Sequence, residues 1–291
     1  MDKVILIDKP AGLSSHETVA LVKRRLRVRK AGHTGTLDPI ATGLLIVCTG
    51  EATKTAGYLT DLPKKYLTVI KLGERTATFD AEGAITSTGP VPGDDDAILG
   101  ALPRFRGDIR QVPPMYSALK VSGKPLYKLA RQGIEIDREQ REVHVSELEL
   151  LEYAPPYARL LVACSKGTYI RTLVDDIGIA AGTFAHVTGL RRTMIGPFSV
   201  EDSLNPENLD IKTEADKNIK GTLDINQALA YFMEEIRLDA VNLHRALNGA
   251  PFRTELPVSG LLKIKDPDGR LLGIGKAAKG IVKVERLLHL S

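Results

Sequence analysis

The chain has 291 residues, 43% hydrophobic and 26% charged, and its 40 Lys and Arg exceed its 36 Asp and Glu for a net charge of +4. That composition is ordinary for a globular protein, and the length predicts one large domain with a small one beside it. No apolar run approaches the ~18–20 residues that span a bilayer, and the opening Met1-Asp2-Lys3 is too acidic, and the apolar run after it too short, for a secretory signal, so a cytoplasmic protein is expected.

Residues 4–7 read as a buried strand ending at the Lys9-Pro10-Ala11-Gly12 turn. Ser14 with Glu17 three residues on has the form of a capping box, and Val19, Val22 and Leu26 recur at helical spacing, so a helix is expected over 15–27. A loop of small residues over 31–43 precedes a strand at 44–48, and residues 66–72 mix β-branched, aromatic and polar side chains as strands do. Short helices are expected over 94–104 and 126–132, the second closed by Gly133. Residues 143–151 and 159–164 read as strands, and the Ser165-Lys166-Gly167 turn joins the latter to a helix over 169–180. Residues 201–222 are polar and read as a linker, 223–247 follow a helical pattern, and short β-like runs at 260–264 and 271–274 suggest a small β-rich tail. Strands and helices alternate without a regular βαβ beat, which predicts an α+β fold with a mixed or mostly antiparallel sheet flanked by helices. Cys48 and Cys164 both lie in apolar runs and read as buried thiols, with no sign of a disulfide scaffold or a metal cluster.

Charge is unevenly distributed. Lys23, Arg24, Arg25, Arg27, Arg29 and Lys30 place six cations within eight residues, with further cations at Lys64-Lys65, at 120–131 and at Arg191-Arg192. Acid gathers at 94–96 and over 135–152. Such segregation suits a polyanion-binding face with an acidic back, although any one run taken alone also suits a solvated helix face.

Chemistry concentrates in three stretches. Gly32-His33-Thr34-Gly35-Thr36-Leu37-Asp38-Pro39 is a tight loop whose backbone can approach a ligand closely, with one carboxylate that the following proline biases away from helical geometry. Lys166-Gly167-Thr168-Tyr169-Ile170-Arg171 sets an arginine in the first turn of a helix, an unfavourable place for a cation unless an anion compensates. Asp175 and Asp176 one turn on could be that anion. Gln111-Val112-Pro113-Pro114-Met115-Tyr116-Ser117-Ala118-Leu119-Lys120 is a proline-stiffened segment. Taken singly, an Asp-Pro in a loop is ordinary turn chemistry and a loop histidine is usually structural.

Together, and in this order, these stretches resemble the stand-alone bacterial tRNA pseudouridine synthases of the TruB type. The likeness begins with Asp8-Lys9-Pro10-x-Gly12-x-Ser14-Ser15, includes Lys65-Tyr66, and closes with Leu190-Arg191-Arg192-Thr193, about two thirds of the chain. It implies the pseudouridine synthase fold over residues 1–235, with an RNA-clamping insertion at about 112–140, and a PUA-like RNA-binding domain over 236–291. It further implies isomerisation of uridine 55 in the tRNA T-stem-loop, with Asp38 as the catalytic carboxylate, Arg171 as its ionic partner and Tyr66 stacking on the base. Tyr169 and Leu190 would line the pocket, and His33 would fill the space left by the flipped base. Lys9, Pro10, Lys65 and Lys120 are carried over as substrate-binding positions. No cofactor and no metal are implied, and the partner is tRNA alone, bound by a monomer without an obligatory protein. The alternatives are an RNA-guided pseudouridine synthase, which shares the Asp loop, and a non-catalytic tRNA-folding chaperone. A glycosidase acting on free sugars would lack an acid partner for Asp38.

Overall fold

The N-terminal strand β1 (Lys3–Lys9) is apolar on both faces, as a strand central to a covered sheet must be. Ile5 and Ile7 pack under α1 (Ser15–Leu26), while Val4 and Leu6 face the opposite core. The structure is a computed structural model and describes residues 1–121, 123–209, 219–255 and 257–290.

After α1 come β2 (Ala31–His33), β3 (Thr42–Thr49), α2 (Ala56–Thr60), β4 (Lys64–Leu72), β5 (Glu74–Thr76), β6 (Ile85–Thr88) and α3 (Asp96–Ala101). The chain continues through β7 (Gly107–Gln111), a small hairpin of β8 (Lys120–Val121) and β9 (Lys124–Pro125), and α4 (Leu126–Ala130). Then follow β10 (Arg141–Ala154), β11 (Tyr157–Cys164), α5 (Ile170–Ala180), β12 (Ala185–Ile195), β13 (Phe198–Ser199) and β14 (Thr222–Asp224). Strand β5 pairs with β6 in a separate two-stranded sheet, and ten strands form one sheet in the order β14-β1-β3-β12-β4-β11-β10-β7, with β2 on β3 and β13 on β12. Its one parallel pairing is β12 with β3; the rest are antiparallel. This is the mixed, mostly antiparallel sheet expected. Helix α5 lays Leu173, Val174 and Ile177 on the face formed by Ile70, Leu160, Val162 and Val187. The remainder holds α6 (Ile225–Ala230), β15 (Glu234–Arg237), α7 (Ala240–Leu247), β16 (Phe252–Arg253), β17 (Gly260–Lys265), β18 (Leu271–Ala278) and β19 (Ile281–Leu287). A second sheet runs β15-β17-β18-β19-β16.

Helix α1 starts as expected: Ser14 accepts from the Glu17 N–H at 3.2 Å, and the Glu17 carboxylate accepts from the Ser14 N–H at 2.7 Å. It ends with Arg27 in the left-handed conformation at φ 52°. Both cysteines are buried and free, and burial pushes their thiols up to about 12 for Cys48 and about 11 for Cys164.

Three expectations need correction. The helical pattern over 223–247 is broken into β14, α6, β15 and α7, because two capping aspartates interrupt it. Asp224 accepts from the Gln227 N–H at 2.7 Å and Asp239 from the Asn242 N–H at 2.7 Å, so each begins a new helix. The stretch read as a linker is packed against the body as far as it is described. Leu204 exchanges main-chain hydrogen bonds with β1, through its N–H to Leu6 at 2.9 Å and its carbonyl from Asp8 at 2.9 Å, and Leu209 is buried beneath α1. Residues 210–218 of that stretch lie outside the described residues. Finally, the loop over 31–43 opens with β2, paired to β3.

Candidate active site

Strand β4 alternates inward and outward, so Lys64, Tyr66 and Thr68 face the interior while Lys65 turns to the other face. There Lys65 pairs with Glu147 at 2.8 Å, away from the cleft; the residue of the Lys-Lys pair that reaches the cleft is Lys64. Across the β4–β12 pairing Thr68 opposes Leu190 and Tyr66 opposes Arg192, so β12 contributes the facing wall.

The Asp38 loop is fixed from below. The Leu37 N–H donates to the Ser15 hydroxyl at 2.8 Å, that hydroxyl donates back to the Leu37 carbonyl at 3.1 Å, and the Gly12 N–H reaches the Pro39 carbonyl at 2.9 Å. Lys9 is fully buried, and its ammonium donates to the carbonyls of Pro10 at 2.8 Å, Leu13 at 2.6 Å and Pro39 at 3.3 Å. It therefore clamps the first turn to the Asp38 loop and does not line the cleft, and neither does Pro10. Burial lowers the Lys9 ammonium to about 8, with the nearby Asp38 pulling the other way.

At the N-terminus of α5 the Arg171 guanidinium is 5% exposed and meets Asp38, which lies 133 residues earlier in the chain. The Nε–Oδ2 distance is 2.9 Å and the Nη2–Oδ1 distance 3.1 Å, a two-pronged pairing of the strong kind. Arg171 also donates to the carbonyls of Thr78 at 2.8 Å and Tyr116 at 2.8 Å, and its Nη1 lies 3.3 Å from Asp80. Asp175 is not its partner: that carboxylate is held by Arg75 at 2.7 and 2.8 Å. Asp80 lay outside every motif, because it is brought in by the tight 77–84 turn, where Phe79 has φ 61°.

Asp38, Tyr66, Tyr169, Arg171 and Leu190 line one cleft of about 240 Å³. That is somewhat below the ~300–1,000 Å³ of pockets for drug-sized ligands, a size for a single base rather than a strand. Lys64, Ser117 and Arg192 also reach it, and the Ser117 hydroxyl is buried there with no hydrogen-bond partner among the described residues. Asp38 keeps a third of its side chain exposed, so a ligand in the cleft can touch it. Burial raises its carboxyl above the usual range, Arg171 opposes that rise, and Asp80 adds to it. Tyr169 caps α5 and is braced through Gln111, which accepts from its N–H at 3.1 Å and donates to its carbonyl at 3.3 Å. His33 is set back from the cleft, edge-on to His16 at 5.2 Å, and burial, then His16, lowers its pKa to about 4. Lys120 is exposed on the β8–β9 hairpin and does not line the cleft.

Three consecutive family descriptions match the chain: "TruB family pseudouridylate synthase (N terminal domain)" over residues 23–170, "tRNA pseudouridylate synthase B C-terminal domain" over 171–233, and "Pseudouridine synthase II TruB, C-terminal" over 235–288. A relative called tRNA pseudouridine synthase B from Burkholderia pseudomallei (strain 668) is 44% identical over 99% of this chain and 97% of its own. The protein of that name from Stutzerimonas stutzeri (strain A1501) is 45% identical over 98% and 95%. Among solved structures, a Cbf5-Nop10-Gar1 complex superposes with a TM-score of 0.73 at 28% identity, covering 98% of this chain and 84% of that one. An H/ACA RNP bound to a substrate RNA containing 2′-deoxyuridine superposes at 0.72 with 26% identity, covering 99% and 85%. A full-length likeness at this level, over a sheet of matching architecture, places the chain in the TruB family of pseudouridine synthases.

Proposed function

We propose that this enzyme converts uridine 55 in the T-stem-loop of tRNA to pseudouridine, acting as a monomer without an obligatory partner, with Asp38 as the catalytic carboxylate. The observation that carries the reading is the Asp38–Arg171 ion pair lining a cleft sized for a single base. The relatives named tRNA pseudouridine synthase B support tRNA as the substrate. The superposed complexes share only 26–28% of their sequence with this chain, against 44–45% for those relatives.

The isomerisation breaks the bond from ribose C1′ to N1, forms one from C1′ to C5, and moves one proton from C5 to N1. Atoms and charge balance within the nucleotide, so the chain needs to supply only a nucleophile or base, a proton path and a closed site. Asp38, held on a rigid loop, is placed to act on the sugar or the base; attack at C1′, attack on the pyrimidine and removal of a sugar proton all begin from an ionised carboxylate. Arg171 holds that charge in a partly buried place and aims both oxygens. Tyr66 of β4 and Leu190 of β12, which line the same cleft, would hold the extruded base, with Tyr66 relaying the proton from C5. His33, neutral at physiological pH, would enter the stack the base leaves. Extrusion costs a few kcal/mol, which contacts between the RNA and the cations of α1 and the 112–140 insertion would offset.

The test is incubation of bare tRNA transcript with the purified chain, followed by mass-spectrometric mapping. Pseudouridine at the T-loop position without added RNA or protein is expected; product only with a guide RNA and partners would assign the chain to the guided class. Asp38→Ala is expected to abolish product while tRNA affinity stays within about tenfold, because affinity rests mainly on phosphate contacts.

A further inference from the structure

Arg192 is among the most completely buried large side chains of the fold, at 1% exposure, and it lies at the wall of the cleft. Its Nε donates to the Leu44 carbonyl at 2.7 Å, Nη2 to Gly35 at 3.1 Å and Nη1 to Thr36 at 3.5 Å. No described carboxylate pairs with it. A buried guanidinium without an anion is costly, and main-chain carbonyls account for only three of its five N–H donors. Two donors, one on each terminal nitrogen, remain for the cleft. Arg192 is also the cross-strand partner of Tyr66, which sets both side chains on the same face of the sheet, directly opposite each other. The fit is enforced by backbone: Gly43 runs so close to Arg192 that a Cβ there would meet the Arg192 carbonyl oxygen.

We propose that Arg192 is a positioning residue for the reaction: pinned by the carbonyls of the Asp38 loop and β3, it turns its unspent donors to the Tyr66 hydroxyl and stabilises that oxygen while it takes the C5 proton. The inference rests on the reading of Tyr66 as the proton relay. Tyr66 first gives its hydroxyl proton to the N1 atom freed from the sugar and then, as the phenolate that Arg192 stabilises, takes the proton from C5, so it ends neutral and no co-reactant enters. Burial drives the Tyr66 phenol towards the neutral form, and Arg192 is the strongest influence in the opposite direction, through its charge and a hydrogen bond. The arrangement supplies a stabilised phenolate only where the reaction needs one.

The experiment is single-turnover conversion of T-stem-loop RNA carrying protium or deuterium at uridine C5, by wild type, Arg192→Gln and Arg192→Lys, with melting curves and RNA affinity measured on the same samples. Arg192→Gln is expected to slow conversion about 100-fold or more, in the range of a lost general acid–base contribution, with deuterium slowing it further and RNA affinity preserved. Arg192→Lys keeps a cation at the site and restores part of the rate; it also keeps the test readable if the glutamine variant does not fold. Wild-type rates in both variants, or a slowed rate indifferent to deuterium at C5, would overturn the proposal. Full activity in Tyr66→Phe would instead remove the proton-relay reading beneath it.

Discussion

Arg171 stands between two carboxylates, and this makes the two ends of its ion pair unequal. Removing Arg171 leaves Asp38 and Asp80 facing each other without a cation, a change that typically costs about 3–5 kcal/mol when a buried pair is broken. Arg171→Ala should therefore lower the melting temperature by many degrees as well as abolish turnover, both readable in one preparation. Asp38 behaves in the other direction. Its folded-state pKa lies above the ordinary value, so its ionisation is harder in the folded protein than in the unfolded chain. It subtracts from stability near neutral pH, and that penalty fades as the pH falls below the ordinary carboxylate range. Asp38→Asn should accordingly melt no lower than wild type at pH 7, with any advantage gone near pH 4; a clear loss at pH 7 would contradict this account. With Asp38 in its proposed role, the same shift sets the pH dependence of turnover. An ionised Asp38 gives an acid limb above the usual carboxylate value of 3.8, and Asp80→Asn, by removing a like charge, should move that limb to lower pH.

The elements that position these side chains are fixed by short-range chemistry in some places and by distant packing in others. Ser14→Ala deletes the N-cap of α1 and should cost about 1 kcal/mol, read as a drop of a few degrees in a thermal melt. Gly43→Ala is more severe, because φ is +99° and the added Cβ would collide with the Arg192 carbonyl oxygen; the strain alone is on the order of 1–3 kcal/mol, visible in the urea midpoint. The capping box, the α5 turn and the strands β4, β10 and β11 were legible because each is written within a few residues. The split of 223–247 was not, since its apolar spacing runs on through Asp224 and Asp239 and only the caps mark the breaks. In the cleft, Asp38, Arg171 and Tyr66 stood out through their motifs. Asp80 did not, because its partnership with Arg171 is made by a turn that tertiary packing imposes. The exchange of Lys65 for Lys64 shows the same limit: a pair of adjacent lysines does not reveal which one faces inward until the register of the strand is known.

At the scale of the whole molecule, charge and core decide what the enzyme can hold and how firmly. Arg24, Arg25, Arg27, Arg29 and Lys30 remain exposed at the end of α1, available to a polyanion. Reversing charge at Arg24 and Arg25 should weaken tRNA binding and flatten its salt dependence, and an unchanged slope would take this run off the RNA face. The small second sheet is joined to the large one by more than chain connectivity. Ile274 and Leu288 lie in the same apolar cluster as Val4, Leu6, Leu44 and Ile225, and the buried Lys263 reaches Asn226 of α6 at 3.1 Å and Glu235 at 3.0 Å. A chain cut after Met233 would lay this apolar seam open to water, so it should aggregate rather than persist as a trimmed enzyme. Calorimetry of the intact protein should show one heat-absorption peak, since neither sheet can melt while the seam stays closed. The tail is thereby a fixed arm, its far end held at a set distance from the cleft.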